Sequence, residues 1–452
     1  MRLHNSLRAA AAVAATALLA AGCSSGGGGS TSTPAATGTG GSTAGAGGTG
    51  EKVSLTYWTW APGMDEVVAA WNSSHPDIQV TVNKQDGGDP AVTKFLTAIK
   101  AGSGAPDVMQ AEYQKIPTLV SANSLQDIKG DLSDDVKSGF SDGTWQSVTL
   151  GSDAVYAVPQ DSGPMEFYYR ADIFEKYGLK VPTTWDEYAQ VATELHQKDP
   201  KAYLGTFSSN DAGWFAGLSQ QAGASWWGVD GDAWSVNIDA DPTQKVASYW
   251  GNLVQQGVID NKPMYTPDWN KALNDGTQVG WVSAIWAPGV LSGNAPDTQG
   301  KWKMAKLPQW SAGEDVTGNW GGSATAVSVQ SKHPKEAAQF IEWMNTDPAA
   351  AQLLVSKGGL YPANLSSQTT ALTSPPDFFS NQPDFYTLAA QIAKTVNPFT
   401  YGPNVNVAYS AYNDEFGKAT KAKTQSAFTA AVANMQKTTL DDLKKSGYNV
   451  KE

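Results

Sequence analysis

The sequence predicts an α/β fold built from two domains. Strand-like and helix-like patterns alternate from Lys52 onward. About 400 residues follow a low-complexity leader, more than one hydrophobic core accommodates. Cys23 is the single cysteine of the 452 residues, so no disulfide framework can carry the fold and stability must come from packing.

Taken in order, Val53–Trp58 reads as a strand, and Met64–Asn72 as a helix with Met64, Val67, Val68 and Trp71 on one face. Ile78–Val82 reads as a second strand. The next helix opens at Asp89-Pro90, where Asp89 suits the cap and Pro90 the first helical position. Pro106–Met109 reads as a third strand, which completes a βαβαβ pattern and predicts a mainly parallel sheet with helices on its faces. Further along, Thr184 and Glu187 form a capping-box pattern that starts a helix over Trp185–Gln197, with Trp185 inward. Ala337, Phe340, Ile341 and Met344 recur at helical spacing, which makes Trp343 a packing residue.

The leader has two parts. Arg2 and Arg8 precede the apolar run Ala9–Ala21, shorter than the roughly 20 residues that span a bilayer, so residues 1–22 read as a secretory signal. Residues 23–50 are, apart from Cys23 and Pro34, Gly, Ser, Thr and Ala with neither charge nor aromatic, a flexible linker. Gly22–Gly26 fits G-x-S-x-G, and Gly45, Gly47 and Gly50 fit G-x-G-x-x-G. Neither follows a strand or opens a helix, so neither carries chemistry.

The formal charge is −12, and past the leader Arg170 is the single arginine, a composition that excludes the phosphate neutralisation nucleic acids require. His75, His196 and His333 are far apart and lack metal-ligand spacing, so no metal and no cofactor is expected. In open α/β sheets, ligands bind beyond the carboxyl ends of the strands. Trp60 lies just past the first strand, where an indole either stacks on ligand or packs the rim; Trp58 is inside the strand and packs. Glu112 and Tyr113 follow the third strand and are candidate crevice groups.

Longer blocks carry a family resemblance. "LLAAGC", Leu18–Cys23, resembles the lipobox of bacterial lipoproteins, with Ala20 where a large aliphatic is usual, and implies acylation of Cys23. "SLTYWTW", "PDV", the block Tyr156–Leu195 and the block Lys306–Asn364 match in order the extracellular solute-binding proteins of bacterial ABC importers, specifically the carbohydrate-binding family that includes maltose-binding proteins. Gly276–Ile285 departs from that pattern, which leaves the local contacts there open.

The resemblance implies a two-lobe periplasmic-binding-protein fold of type II kind, each lobe a mainly parallel sheet flanked by helices, with hinge crossovers near Pro159–Gly163, Leu307-Pro308 and Tyr361–Leu365. Lobe one would be residues 51–160 plus 308–365, and lobe two residues 161–307 plus 366–452. It implies a monomeric, lipid-anchored protein on the outer face of the membrane, with permease subunits as partners. By position, the second lobe's stacking residues correspond to Trp214, Trp286 and Tyr409. Trp320 and Gly321 correspond to a lobe-one ligand segment, and Asp161 lies on the crossover.

A sugar ring has an apolar C–H face and a belt of hydroxyls, and suits flat aromatics beside carboxylates and amides. The chain carries 17 tryptophans, several after glycine or beside polar groups, Trp214, Trp226, Trp227, Trp286 and Trp320 among them. The expected function is capture of a sugar or oligosaccharide between the lobes, without catalysis. A secreted glycoside hydrolase, with its two carboxylates, and a binding protein for a polyamine or peptide are the alternatives.

Overall fold

In the computed structural model, residues 52–85, 89–231 and 233–451 are described. The proposed signal, Cys23 and the linker lie outside them. The structure is organised by one long strand. β1 (Val53–Thr59), β2 (Ile78–Lys84) and β3 (Val108–Glu112) pair in parallel, with β1 between the other two. β4 (Ala157–Arg170) serves two sheets. Its first half pairs antiparallel with β9 (Asn319–Val327), which in turn lies antiparallel to β3. Its second half, from Met165 onward, pairs antiparallel with β7 (Gly280–Ala284) on one side and β8 (Trp302–Lys306) on the other. A short hairpin, β5 (Trp227–Asp230) and β6 (Ala233–Val236), stands apart.

The first sheet is therefore mixed, and the named strands of the second are antiparallel where mainly parallel pairing was expected. The cause is connectivity: β4 passes from one sheet into the other, so its partners must run back against it. Parallel pairing in the second half survives as single bridges, Tyr203 with Gln278 and Thr206 with Asp260. The chain returns to the first sheet between β8 and β9. It then touches β4 once more, where Ala363 N–H donates to Gln160 O and Ser162 N–H to Tyr361 O, both at 3.1 Å. These places coincide with the three expected crossovers. Register shifts in the β4–β9 ladder fall at Pro159/Asp161 and Ser162/Pro164, as two prolines without a donor in one strand require.

Local expectations hold with small changes of boundary. Met64, Val67, Val68 and Trp71 are the buried face of helix Met64–Ser74. The next helix begins at Asp89. The third strand starts at Val108, because the Asp107 carboxylate instead ties strands together, accepting from Thr56 N–H at 2.9 Å and Ser331 Oγ at 2.7 Å. Helix Trp185–Lys198 has its capping box, with Glu187 N–H on Thr184 Oγ1 and Thr184 N–H on Glu187 Oε2. Trp343 packs against Trp71 at 5.3 Å between ring centroids. Two long helices, Val405–Ala422 and Gln425–Lys445, pack on each other and the second also on helix Asp241–Gln256.

Candidate functional site

A cavity of about 290 Å³ opens where segments of both halves converge. The end of β3 contributes Glu112, and the turn after it contributes Gln114. The start of helix Ala212–Gln221 contributes Asp211 and Gly213, with Asn210 beside them. β9 contributes Trp320 and Gly321, and the C-terminal part of the chain contributes Tyr401, Tyr409 and Asn413. A larger depression of about 570 Å³ is lined only by residues 129–155. Built from one contiguous segment, it cannot respond to movement of one half against the other.

Asp211 organises the wall. It caps its helix, accepting from Trp214 N–H at 3.0 Å, and the Trp320 indole beside it favours its charged form. Burial pushes its pKa up to about 6, against the lowering effect of those donors. The indole of Trp320 lies over Gly213, where a Cβ would stand 3.1 Å from Cδ1, so the absence of a side chain at 213 makes room for the ring. Gly321 follows with φ +81°, a left-handed conformation that turns the strand's backbone toward the cavity. Burial pushes Tyr401 up to about 12 and raises Tyr409 as well, each phenol influencing the other.

Of the residues chosen from sequence, Glu112, Trp320, Gly321 and Tyr409 are brought together as lining. Trp286 stands behind them, half-buried, edge-on to Trp320 at 4.6 Å, its indole N–H donating to Trp320 O at 2.9 Å. Trp60 is half-buried after β1 with its backbone N–H on Gln110 Oε1 at 3.2 Å, and is not part of the lining. Asp161 also lies outside the lining. Its carboxylate accepts from the backbone N–H and hydroxyl of Ser323, and burial, with the Glu112 charge adding to it, raises its pKa to about 6.

Two expectations are corrected outright. Trp214 is 1% exposed, donates its indole N–H to Val282 O at 3.0 Å, and packs edge-on against Trp250 and Phe207. It is a core residue, its ring enclosed by Phe207, Trp250 and the backbone of β7 at Val282. Tyr113 is 2% exposed and is a strut, its hydroxyl donating to Asp161 O at 2.8 Å. Trp226 and Trp227 are likewise interior, with their indole N–H groups on Thr243 and Asn404.

Sequence reading missed Asp211, Asn210, Gln114, Tyr401 and Asn413. A signal existed for Asp211, which stands three residues before Trp214 in "NDAGW" as an N-cap should. The lining therefore offers two carboxylates, side-chain amides, phenol hydroxyls and an indole, with neither lysine nor arginine among them. Such a set accepts and donates hydrogen bonds around a hydroxyl-rich ligand with one apolar face. Among the described residues no cluster of His, Cys, Asp or Glu could hold a metal ion, and no helix is long and apolar enough to cross a membrane.

Comparison with known proteins gives the same direction. The chain is 31% identical to the galacto-N-biose/lacto-N-biose I-binding protein of the ABC transporter from Bifidobacterium longum, solved with lacto-N-biose. That likeness covers 89% of this chain and 100% of the other at a TM-score of 0.77. It is 28% identical over 352 residues to the lactose-binding protein of Rhizobium radiobacter, across 73% of this chain and 79% of the other. It is 22% identical over 415 residues to the arabinooligosaccharide-binding protein of Bacillus subtilis (strain 168), across 88% and 92%. Residues 57–351 match the family model of the bacterial extracellular solute-binding proteins, and the chain belongs to that family.

Proposed function

We propose that this protein captures a sugar or short oligosaccharide between two lobes and delivers it to an ABC importer. The observation that carries this reading is the cavity itself, in which Trp320 and Tyr409 offer aromatic surface beside the carboxylates of Glu112 and Asp211 at the meeting of both halves. Its relatives bear names of sugar-binding proteins, which supports the same ligand class. Residues 51–160 with 308–365 form one lobe, and 161–307 with 366–452 the other. Ligand drives their closure through contacts it makes better in the closed state. Acylation at Cys23 and the linker of residues 23–50 tether a monomeric binding domain to the outer face of the membrane, near its permease.

One observation favours a second reading. Two carboxylates line one cavity, and Asp211 has a raised pKa, as a glycoside hydrolase's acid would. A single experiment separates the two. The protein is incubated with a panel of mono-, di- and oligosaccharides, and both the melting temperature and the sugar products are measured. A rise in melting temperature with the sugar recovered intact is expected. Cleavage products would establish the hydrolase instead, and the absence of any shift would remove carbohydrate as the ligand class.

A further inference from the structure

The depression of about 570 Å³ lined by residues 129–155 shares no lining residue with the cavity between the halves, has about twice its volume, and falls within the range of small-molecule sites. Helix Asp142–Thr149 supplies part of its wall. Ser141 starts that helix, its hydroxyl accepting from Thr144 N–H at 3.2 Å. The helix stops at Leu150 and Gly151, both left-handed at φ +53° and +73°. Ser152 fastens the turn, its hydroxyl donating to Thr149 O at 2.7 Å and accepting from Ala154 N–H at 3.3 Å. The wall is thus set before a ligand arrives, which lowers the cost of binding one.

Trp145 lines this depression and is only 8% exposed. One face of its ring is taken by Phe140, stacked at 5.7 Å between centroids. Its indole N–H has no hydrogen-bond partner among the described residues. Unlike the N–H groups of Trp250 and Trp269, which are orphaned in the sealed core, it stays open to the cavity that its ring lines. A donor held this deep calls for an acceptor, and the protein supplies none.

Five charged side chains share the lining, Lys129 and Lys137 against Asp134, Asp142 and Asp153, and all are exposed. Both signs are present, yet among the described residues none of the five makes an ion pair or a side-chain hydrogen bond. Leu132, Val136 and Val155 supply apolar surface. Unpaired charge of one sign would select an ion. Both signs together, with an indole N–H, select a group that donates and accepts at once, and the hydroxyl is that group. A wholly apolar ligand would strip water from these polar groups with nothing in return. A ring with a belt of hydroxyls and a C–H face satisfies every part of the lining.

We infer that the depression of residues 129–155 is a second carbohydrate site, separate from the cavity between the halves, in which the Trp145 indole N–H donates to a saccharide oxygen. Its lining comes from one contiguous segment, so it takes ligand whether the halves are apart or together. One chain then carries two saccharides at once.

The test titrates the full chain with lactose, lacto-N-biose and maltotriose, by calorimetry and by NMR of the tryptophan indole N–H signals. The Trp145 signal is the one missing from Trp145→Phe. Two binding events are expected for at least one sugar, and the weaker one is expected to move the Trp145 signal. Trp145→Phe keeps a ring against Phe140 but removes the N–H; it is expected to weaken the second event about five-fold and to leave the first within about two-fold. Asp153→Trp fills the depression from an exposed position that makes no side-chain hydrogen bond. It is expected to abolish the second event with the unliganded melting temperature level. A single event per chain with an unmoved Trp145 signal, or a second event indifferent to both variants, would overturn the second site and leave the carbohydrate reading of the cavity standing. A single event that moves the Trp145 signal and is lost in Asp153→Trp would support the second site and remove that reading. No binding of any of these sugars would overturn the saccharide assignment of the second site.

Discussion

The start of helix Ala212–Gln221 and the start of β9 present similar sequence to the same cavity, "DAGW" in one and "NWGG" in the other, and use it differently. Asp211 is the N-cap, outside the helical repeat, and with Ala212 and Gly213 it presents the helix start to the cavity, while the Trp214 indole packs into the core. In β9, Gly321 and Gly322 have φ +81° and +90°, which breaks simple alternation, and both Trp320 and Gly321 face the ligand side. The lesson is that a tryptophan beside glycine signals nothing until its element is known. On the helix the cap and the glycine line the cavity; on the strand the indole does.

The largest effect should come from the residue that does not touch ligand. Trp214→Ala is expected to cost about 3–5 kcal/mol of stability, as large aromatic deletions in cores do, with denaturant melts as the measurement. Near-parental stability with ligand affinity lost would put Trp214 back in the site and break the contrast. Asp211→Asn keeps an N-cap acceptor but removes the charge. We expect it to lower sugar affinity by about 1.5–3 kcal/mol, the value of a charged hydrogen bond, with a small change in melting temperature. In the parent, affinity should fall as pH drops below about 6, where Asp211 takes up a proton, and this limb should be missing in the variant. A parent with pH-independent binding from 5 to 7 would show that the carboxylate is not an acceptor for ligand.

Glu166 sharpens the comparison because it too is a buried carboxylate with a raised pKa but faces no cavity. It is fully buried on β4, accepts from the Tyr168 hydroxyl at 2.6 Å, and burial holds it at about 8. Raised above its unfolded value, it favours the folded state in its protonated form. That contribution is present in acid and is lost as pH rises from about 4.5 toward 8. Glu166→Gln copies the protonated form and should be more stable than the parent at pH 8, by roughly 1–3 kcal/mol, with sugar affinity unchanged. A variant less stable at pH 8 would show that the charged form is the one the fold needs. The smallest effect is expected at Trp60, outside the lining: Trp60→Ala should change sugar affinity by less than about 1 kcal/mol, and a larger loss by calorimetry would extend the site to the end of β1.

Much of this was legible before the fold was known. Caps, turns and amphipathic faces are set by neighbours in sequence, so the helix after Thr184 and the buried face of Met64, Val67, Val68 and Trp71 could be read directly. Part of the site was legible too: Glu112 because it stands at a strand end, and Trp320, Gly321 and Tyr409 through the family resemblance. Asp211 was hidden in plain view because a helix cap explains an aspartate completely, leaving no surplus to suggest a second task. Tyr401 and Asn413 gave no local signal, since their role arises only where the C-terminal part of the chain meets the rest.

By itself, then, the sequence determined which segments become strands and helices, that aromatic and acidic groups would be plentiful, and that the family is one of solute binders. Tertiary structure alone decided which indoles border the cavity. Trp214 and Trp320 have the same side chain and are both buried, at 1% and 7% exposure, and what separates them is that Trp320 is left lining the cavity while Trp214 is enclosed in the core. Burial is a property of packing between distant segments, and no short stretch of chain contains it.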